Sequence, residues 1–163
     1  MKTRSSVGFL TCIGLSAALL LSSAGCKNSQ KNKNKNPFSQ RSTTEFSNYD
    51  DYKVDVNLTV GNGKKAVLTA KNNNSDTVTW GEGYILEYQY DGDWYTVPFG
   101  EKGGVFLHMG YILYSGTTKE KVFYLDDQFD NLPSGHYRMV ETMNQGTMET
   151  GIKTYTLANE FDL

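Results

Sequence analysis

The side chains able to do chemistry are few and scattered. From Ser42 onward the chain holds two histidines, His108 and His136, and no cysteine. Hydrolysis or group transfer needs a nucleophile, a base and an electrophilic partner brought together. His136 follows Pro133-Ser134-Gly135 and points away from Tyr137 in an alternating stretch, so it reads as a surface residue beside a turn. His108 sits in an apolar run, where a histidine is more often a satisfied loop or core residue than a base. No glycine loop of phosphate-binding spacing precedes a helix, and no paired histidines suggest zinc. No catalytic residue, cofactor or metal is therefore expected.

Two other groupings could bind rather than react. Asp126, Asp127 and Asp130 share one loop, and Asp50 and Asp51 precede the first expected strand. Calcium takes six to eight oxygens, but this spacing matches no ligand motif, and solvated acidic loops are the favoured reading. Tyr84, Tyr88, Tyr90, Trp94 and Tyr95 occupy one meander. Alternation buries about half of such a set, and since Trp94 and Tyr95 are adjacent, one of them faces outward. Those two are the candidate contact surface, because an aromatic ring offers a large rigid face to a sugar or a protein.

The elements that must position these residues read as strands. Tyr52, Val54, Val56, Leu58 and Val60 alternate with polar residues, Gly61-Asn62-Gly63 turns the chain, and Ala66, Leu68 and Ala70 share one side of its return. Extended segments follow over Val78–Trp80, Tyr84–Tyr90 and Trp94–Phe99, with Val105–Leu113 apolar but broken by Gly110. Thr118–Leu125 precedes a loop from Asp126 to Asn131, and His136–Met143 and Lys153–Leu163 close the chain around a turn at Asn144-Gln145-Gly146. The spacing predicts an all-β fold, an antiparallel sandwich of seven to nine strands over residues 50–163, with no disulfide.

Leu132-Pro133-Ser134-Gly135-His136-Tyr137-Arg138-Met139 is the most specific stretch. Pro133 and Gly135 impose a corner, after which Tyr137 and Met139 share one face. A tyrosine just past such a corner, two residues before a buried position, resembles the tyrosine corner of immunoglobulin-like domains. With Val67-Leu68-Thr69-Ala70-Lys71-Asn72, Asp91-Gly92-Asp93-Trp94-Tyr95, Gly110-Tyr111-Ile112-Leu113 and Leu157-Ala158-Asn159-Glu160-Phe161, this order is similar to the bacterial immunoglobulin-like domains of secreted proteins and lipoproteins of Gram-positive bacteria. The resemblance implies a non-catalytic module. It places Met139 where antibody domains have their second cysteine, with Leu68 or Ala70 near the first; Trp80 is a candidate core tryptophan by its spacing after Leu68 and not by the resemblance.

Upstream, Met1–Arg4 is basic and Val7–Leu21 is uncharged over 15 residues, which is short for a membrane span but fits the apolar part of a signal peptide. The run ends in Leu21-Ser22-Ser23-Ala24-Gly25-Cys26, which resembles the lipobox of bacterial lipoproteins, with Ser23 where leucine is usual. That resemblance implies diacylglycerol on the Cys26 thiol, cleavage after residue 25, and export with lipid anchoring to the outer face of the cell membrane. An ordinary secretory peptide cut near Ala24-Gly25 is the competing reading. The Lys/Asn-rich stretch that follows has almost nothing to bury, and residues 26–49 are expected to form a disordered tether reaching roughly 25 to 30 Å.

Charge narrows the partners. Up to Arg41 there are seven Lys or Arg and no acid; beyond it nine Lys or Arg face eighteen Asp or Glu, a balance of −9. So acidic a domain is repelled by phosphate backbones, which argues against nucleic acid. The expected partners are the membrane, through the lipid, and an unidentified protein or glycan. A cell-wall glycan binder and an inhibitor of an extracytoplasmic enzyme, using the Glu101–Leu113 segment, are the alternatives to a binding or spacer module.

Overall fold

The computed structural model describes residues 35–47, 52–107 and 109–163. The signal peptide, Cys12, Cys26, most of the Lys/Asn-rich run, Asp50, Asp51 and His108 lie outside the described residues.

Local alternation produces the elements. β1 (Val54–Val60) and β2 (Lys65–Asn72) pair antiparallel across a 3-10 turn at Asn62–Lys64, and Leu58 lies opposite Leu68. Gly63 takes a positive φ of 68° in that turn, a conformation that disfavours a Cβ. β7 (Thr118–Tyr124) joins the other side of β2 and completes a three-stranded sheet.

The second sheet is built on β8 (His136–Thr147). One edge of β8 pairs along its length with β9 (Gly151–Asp162). The other edge is shared by β3 (Val78–Gly81) and β4 (Ile85–Tyr90), two lengths of one bent strand. Between the pairs Trp80↔Met143 and Ile85↔Val140 the chain advances five residues against three on β8. The excess of two keeps the in/out alternation while making a bulge at residues 81–84. β6 (Gly110–Leu113) pairs with β3, and β5 (Asp93–Thr96) with β4. The two sheets pack as an open antiparallel sandwich of immunoglobulin-like outline.

The core lies between the sheets, where Leu68, Trp80, Leu86, Leu113, Tyr137, Met139 and Met143 are buried. No cysteine lies among the described residues, so Leu68 and Met139 occupy the centre without a bridge. Burying one leucine contributes about 1.5–3 kcal/mol. One or two such residues match the roughly 2–5 kcal/mol that loss of a small domain's disulfide costs.

Three local readings differ from the sequence expectation. The turn foreseen at Asn144-Gln145-Gly146 lies inside β8, and the chain reverses at residues 148–150, where the Thr147 and Thr150 side chains and backbone bond to each other. Leu125–Gln128 forms one turn of helix, α1, where a loop was expected. The third concerns the tether. Residues 38–47 pack on the larger sheet, so the tether expected through residue 49 is ordered over that part. Ser42 N–H donates to the Trp94 carbonyl and Thr96 N–H to that of Gln40, extending the β5 edge. The segment then crosses the outer face to β9, where Ser47 bonds Thr154 and Thr156. Its buried partner Glu87 explains the order, because Ser and Thr hydroxyls in a polar run can be recruited by a carboxylate on a distant strand. Among the described residues no helix is long and apolar enough to cross a membrane.

Candidate functional site

The corner foreseen around Tyr137 has a definite geometry. Tyr137 is buried and its hydroxyl donates to the Pro133 carbonyl at 2.5 Å, four residues upstream. Its ring stacks on Phe161 and meets Tyr88 edge-on. At Gly135, which precedes the strand, an added Cβ would lie 2.4 Å from the Tyr88 ring. Gly135 also exchanges both backbone hydrogen bonds with Leu163, which ties the corner to the C-terminus. Met139, two residues on, is buried in the same cluster. These are structural contacts, and burial pushes the Tyr137 phenol upward.

Trp94 and Tyr95 fall on opposite faces of β5, and both are half-buried. Tyr95 lies opposite Tyr88 on the core side, with Arg41 bridged to its backbone. Trp94 is on the outer side, but its ring holds the Arg138 guanidinium at 4.2 Å, and Phe46 of residues 38–47, a strap across this face, covers that group from 4.8 Å. Arg138 in turn pairs with Glu87, which is fully buried and also accepts from the Ser42 and Thr44 hydroxyls. Arg41 pairs with Asp93. The strap thus occupies the surface on which a contact through Trp94 was expected.

His136 lies between two carboxylates, its Nδ1 2.8 Å from Asp162 and its Nε2 3.0 Å from Glu160. Both ring nitrogens can donate only in the imidazolium form, so the Glu160 and Asp162 bonds raise the histidine's pKa. Among the acids, Asp126 pairs with Lys64 at 3.0 Å and Asp130 accepts the Glu101 N–H, while no group of three ligating side chains is placed to hold a metal ion among the described residues.

Sequence reasoning missed Lys121 and Glu141. Leu68 faces Lys121 across β2 and β7, and Glu141 stands between Met139 and Met143 on the core face of β8. Both are at least 95% buried. The Lys121 ammonium donates to Glu141 Oε1 at 3.0 Å and to the Gly81 and Glu82 carbonyls at 2.9 and 3.1 Å. Its three protons thus meet three acceptors, two of them carbonyls released by the bulge. Burial lowers the pKa of Lys121 and raises that of Glu141. The signal was in the alternation, since Lys121 is in phase with Phe123, and Glu141 with Met139 and Met143.

Beside this pair is a cavity of about 200 Å³ lined by Tyr84, Phe106, Tyr111, Phe123, Glu82 and Asp127 together with Lys121. A larger cleft of about 550 Å³ lies between the strap and the outer face at Ile85 and Val140. The loop before β6 is pinned, with Leu107 N–H on Glu82 and Gly104 N–H on Gln128, and it leaves Val105 and Leu107 exposed.

Comparison with known proteins gives one match. Residues 50–162 match the family model described as a bacterial Ig-like domain. No curated protein matches the chain, and no solved structure does.

Proposed function

This chain belongs to the bacterial Ig-like domain family, and from that premise we propose that it is a non-catalytic, lipid-anchored protein of the cell surface whose sandwich serves as a binding module. The observation that carries the reading is the order of its parts. An uncharged run ends in Ala24-Gly25-Cys26, and a basic, low-complexity stretch then leads into an Ig-like domain of opposite charge. Two acyl chains at about 0.8 kcal/mol per buried methylene would hold such a chain stably to a membrane.

The strap supports a surface role of this kind. Pull from the anchor enters the domain at residues 38–47 and is spread over β5, β4, β8 and β9 by backbone pairing and by the Glu87 network. A bare linker would load β1 alone. Mass spectrometry of the protein purified from membranes tests the anchor. The expected result is a mature N-terminus at Cys26 carrying diacylglycerol, and an unmodified N-terminus in the cell-free fraction would overturn it.

A further inference from the structure

The 200 Å³ cavity lies at the side of the sandwich where β7 ends the smaller sheet and β6 ends a branch of the larger. β7 pairs only with β2 among the described residues, so its other edge presents backbone donors and acceptors along Thr118–Tyr124. Val105, Val122 and Tyr124 line the cavity and are exposed. An open strand edge beside an apolar rim is the arrangement that receives an extended peptide as an added strand, with a pocket for one side chain.

The walls of the cavity say which side chain. The same aromatic surfaces already hold one ammonium, that of Lys121, 4.4 Å from the Phe123 ring and 5.4 Å from that of Tyr111. Lys121 is neutralised by Glu141, which leaves Glu82 and Asp127 as the net charge of the lining. No Lys or Arg lies within ion-pair distance of either among the described residues. Tyr84, 6% exposed, lines the cavity, and its hydroxyl has no hydrogen-bond partner among the described residues. Aromatic rings and two carboxylates around an unused hydroxyl suit a cationic head on an apolar stem. The balance of −9 beyond Arg41 draws such a segment toward it.

We propose that this cleft is a docking site for an extended segment of a partner protein, which pairs with the open edge of β7 and places a lysine or arginine side chain in the cavity between Glu82 and Asp127. The proposal deepens the binding-module reading and is independent of the anchor. An unlipidated Cys26 leaves it untouched, and its failure leaves the lipid untouched.

The test is fluorescence anisotropy of a labelled peptide, Thr-Val-Thr-Val-Lys-Val-Thr, titrated against the intact chain in detergent. Saturable binding is expected, with affinity falling as salt rises. The same peptide with acetyl-lysine, which keeps the stem and removes the charge, is expected to bind about tenfold more weakly. Glu82→Gln combined with Asp127→Asn is expected to produce a similar loss with a cooperative melting transition retained, while Asp76→Asn combined with Glu149→Gln has no effect. Equal binding of the lysine and acetyl-lysine peptides would overturn the cation site. No binding of either, or binding of a chitin oligosaccharide in their place that the Glu82/Asp127 variant loses, would overturn the peptide site.

Discussion

Lys121, from the smaller sheet, and Glu141, from the larger, meet 3.0 Å apart across the interior of a sandwich that has no disulfide. The contact joins the edge strand of the smaller sheet, β7, to β8 of the larger. It also caps the bulge, because the ammonium takes the two carbonyls that β8 cannot reach.

Removing one member of this pair leaves the other charge buried, and the typical cost is about 3–5 kcal/mol. Lys121→Met is therefore expected to lower stability by that order in urea unfolding. Lys121→Met with Glu141→Leu is expected to recover part of the loss, because two apolar groups need no partner. It should not recover all of it, since the Gly81 and Glu82 carbonyls remain uncapped at about 1–3 kcal/mol for a buried polar group. Full recovery in the double variant would show that capping the bulge contributes nothing.

The corner offers two independent measurements. Tyr137→Phe loses only the hydrogen bond to Pro133 and is expected to cost about 1 kcal/mol. Gly135→Ala keeps that bond but drives a methyl into the Tyr88 ring, and overpacking of this kind costs about 1–3 kcal/mol. A neutral result for Tyr137→Phe would reduce it to an ordinary strand tyrosine.

The strap can be loosened without touching the sheets. Ser42→Ala with Thr44→Val removes two donors from the buried Glu87 carboxylate while Arg138 stays in place. A loss of about 1–3 kcal/mol is expected, together with faster amide exchange at Ser42 and Thr96. Unchanged exchange at both amides would show that backbone pairing alone holds the strap.

His136 makes stability depend on pH in a definite direction. Its pKa is raised in the folded state by Glu160 and Asp162, so its contribution is fully present below the ordinary histidine value of about 6.5. The contribution is lost as pH rises through the folded value. The melting temperature of the wild type is expected to fall over that window relative to His136→Gln, and by less in high salt because the pairs are exposed. Parallel pH profiles for the two proteins would remove the effect.

Alternation alone determined much of this protein. Val54 to Val60, Ala66 to Ala70 and Tyr155 to Leu157 repeat with the period of a half-buried strand, and that period depends only on the pleat of the backbone. The corner was legible for a similar reason, since Pro133, Gly135 and Tyr137 act on one another within five residues. The loads placed on Lys121, Glu141 and Glu87 were decided only by the tertiary structure. A charged residue in phase with apolar neighbours is buried or not according to what the opposite sheet supplies, and Gly81, Glu82 and Glu141 are 20 to 40 residues from Lys121. Residues 38–47 make the same point from a polar run, because their order comes from a carboxylate more than 40 residues away. The resemblance of the residues before Cys26 to a lipobox is a property of neighbours in sequence alone. The cleft beside β7 could be seen only once two sheets had brought their open edges to one side.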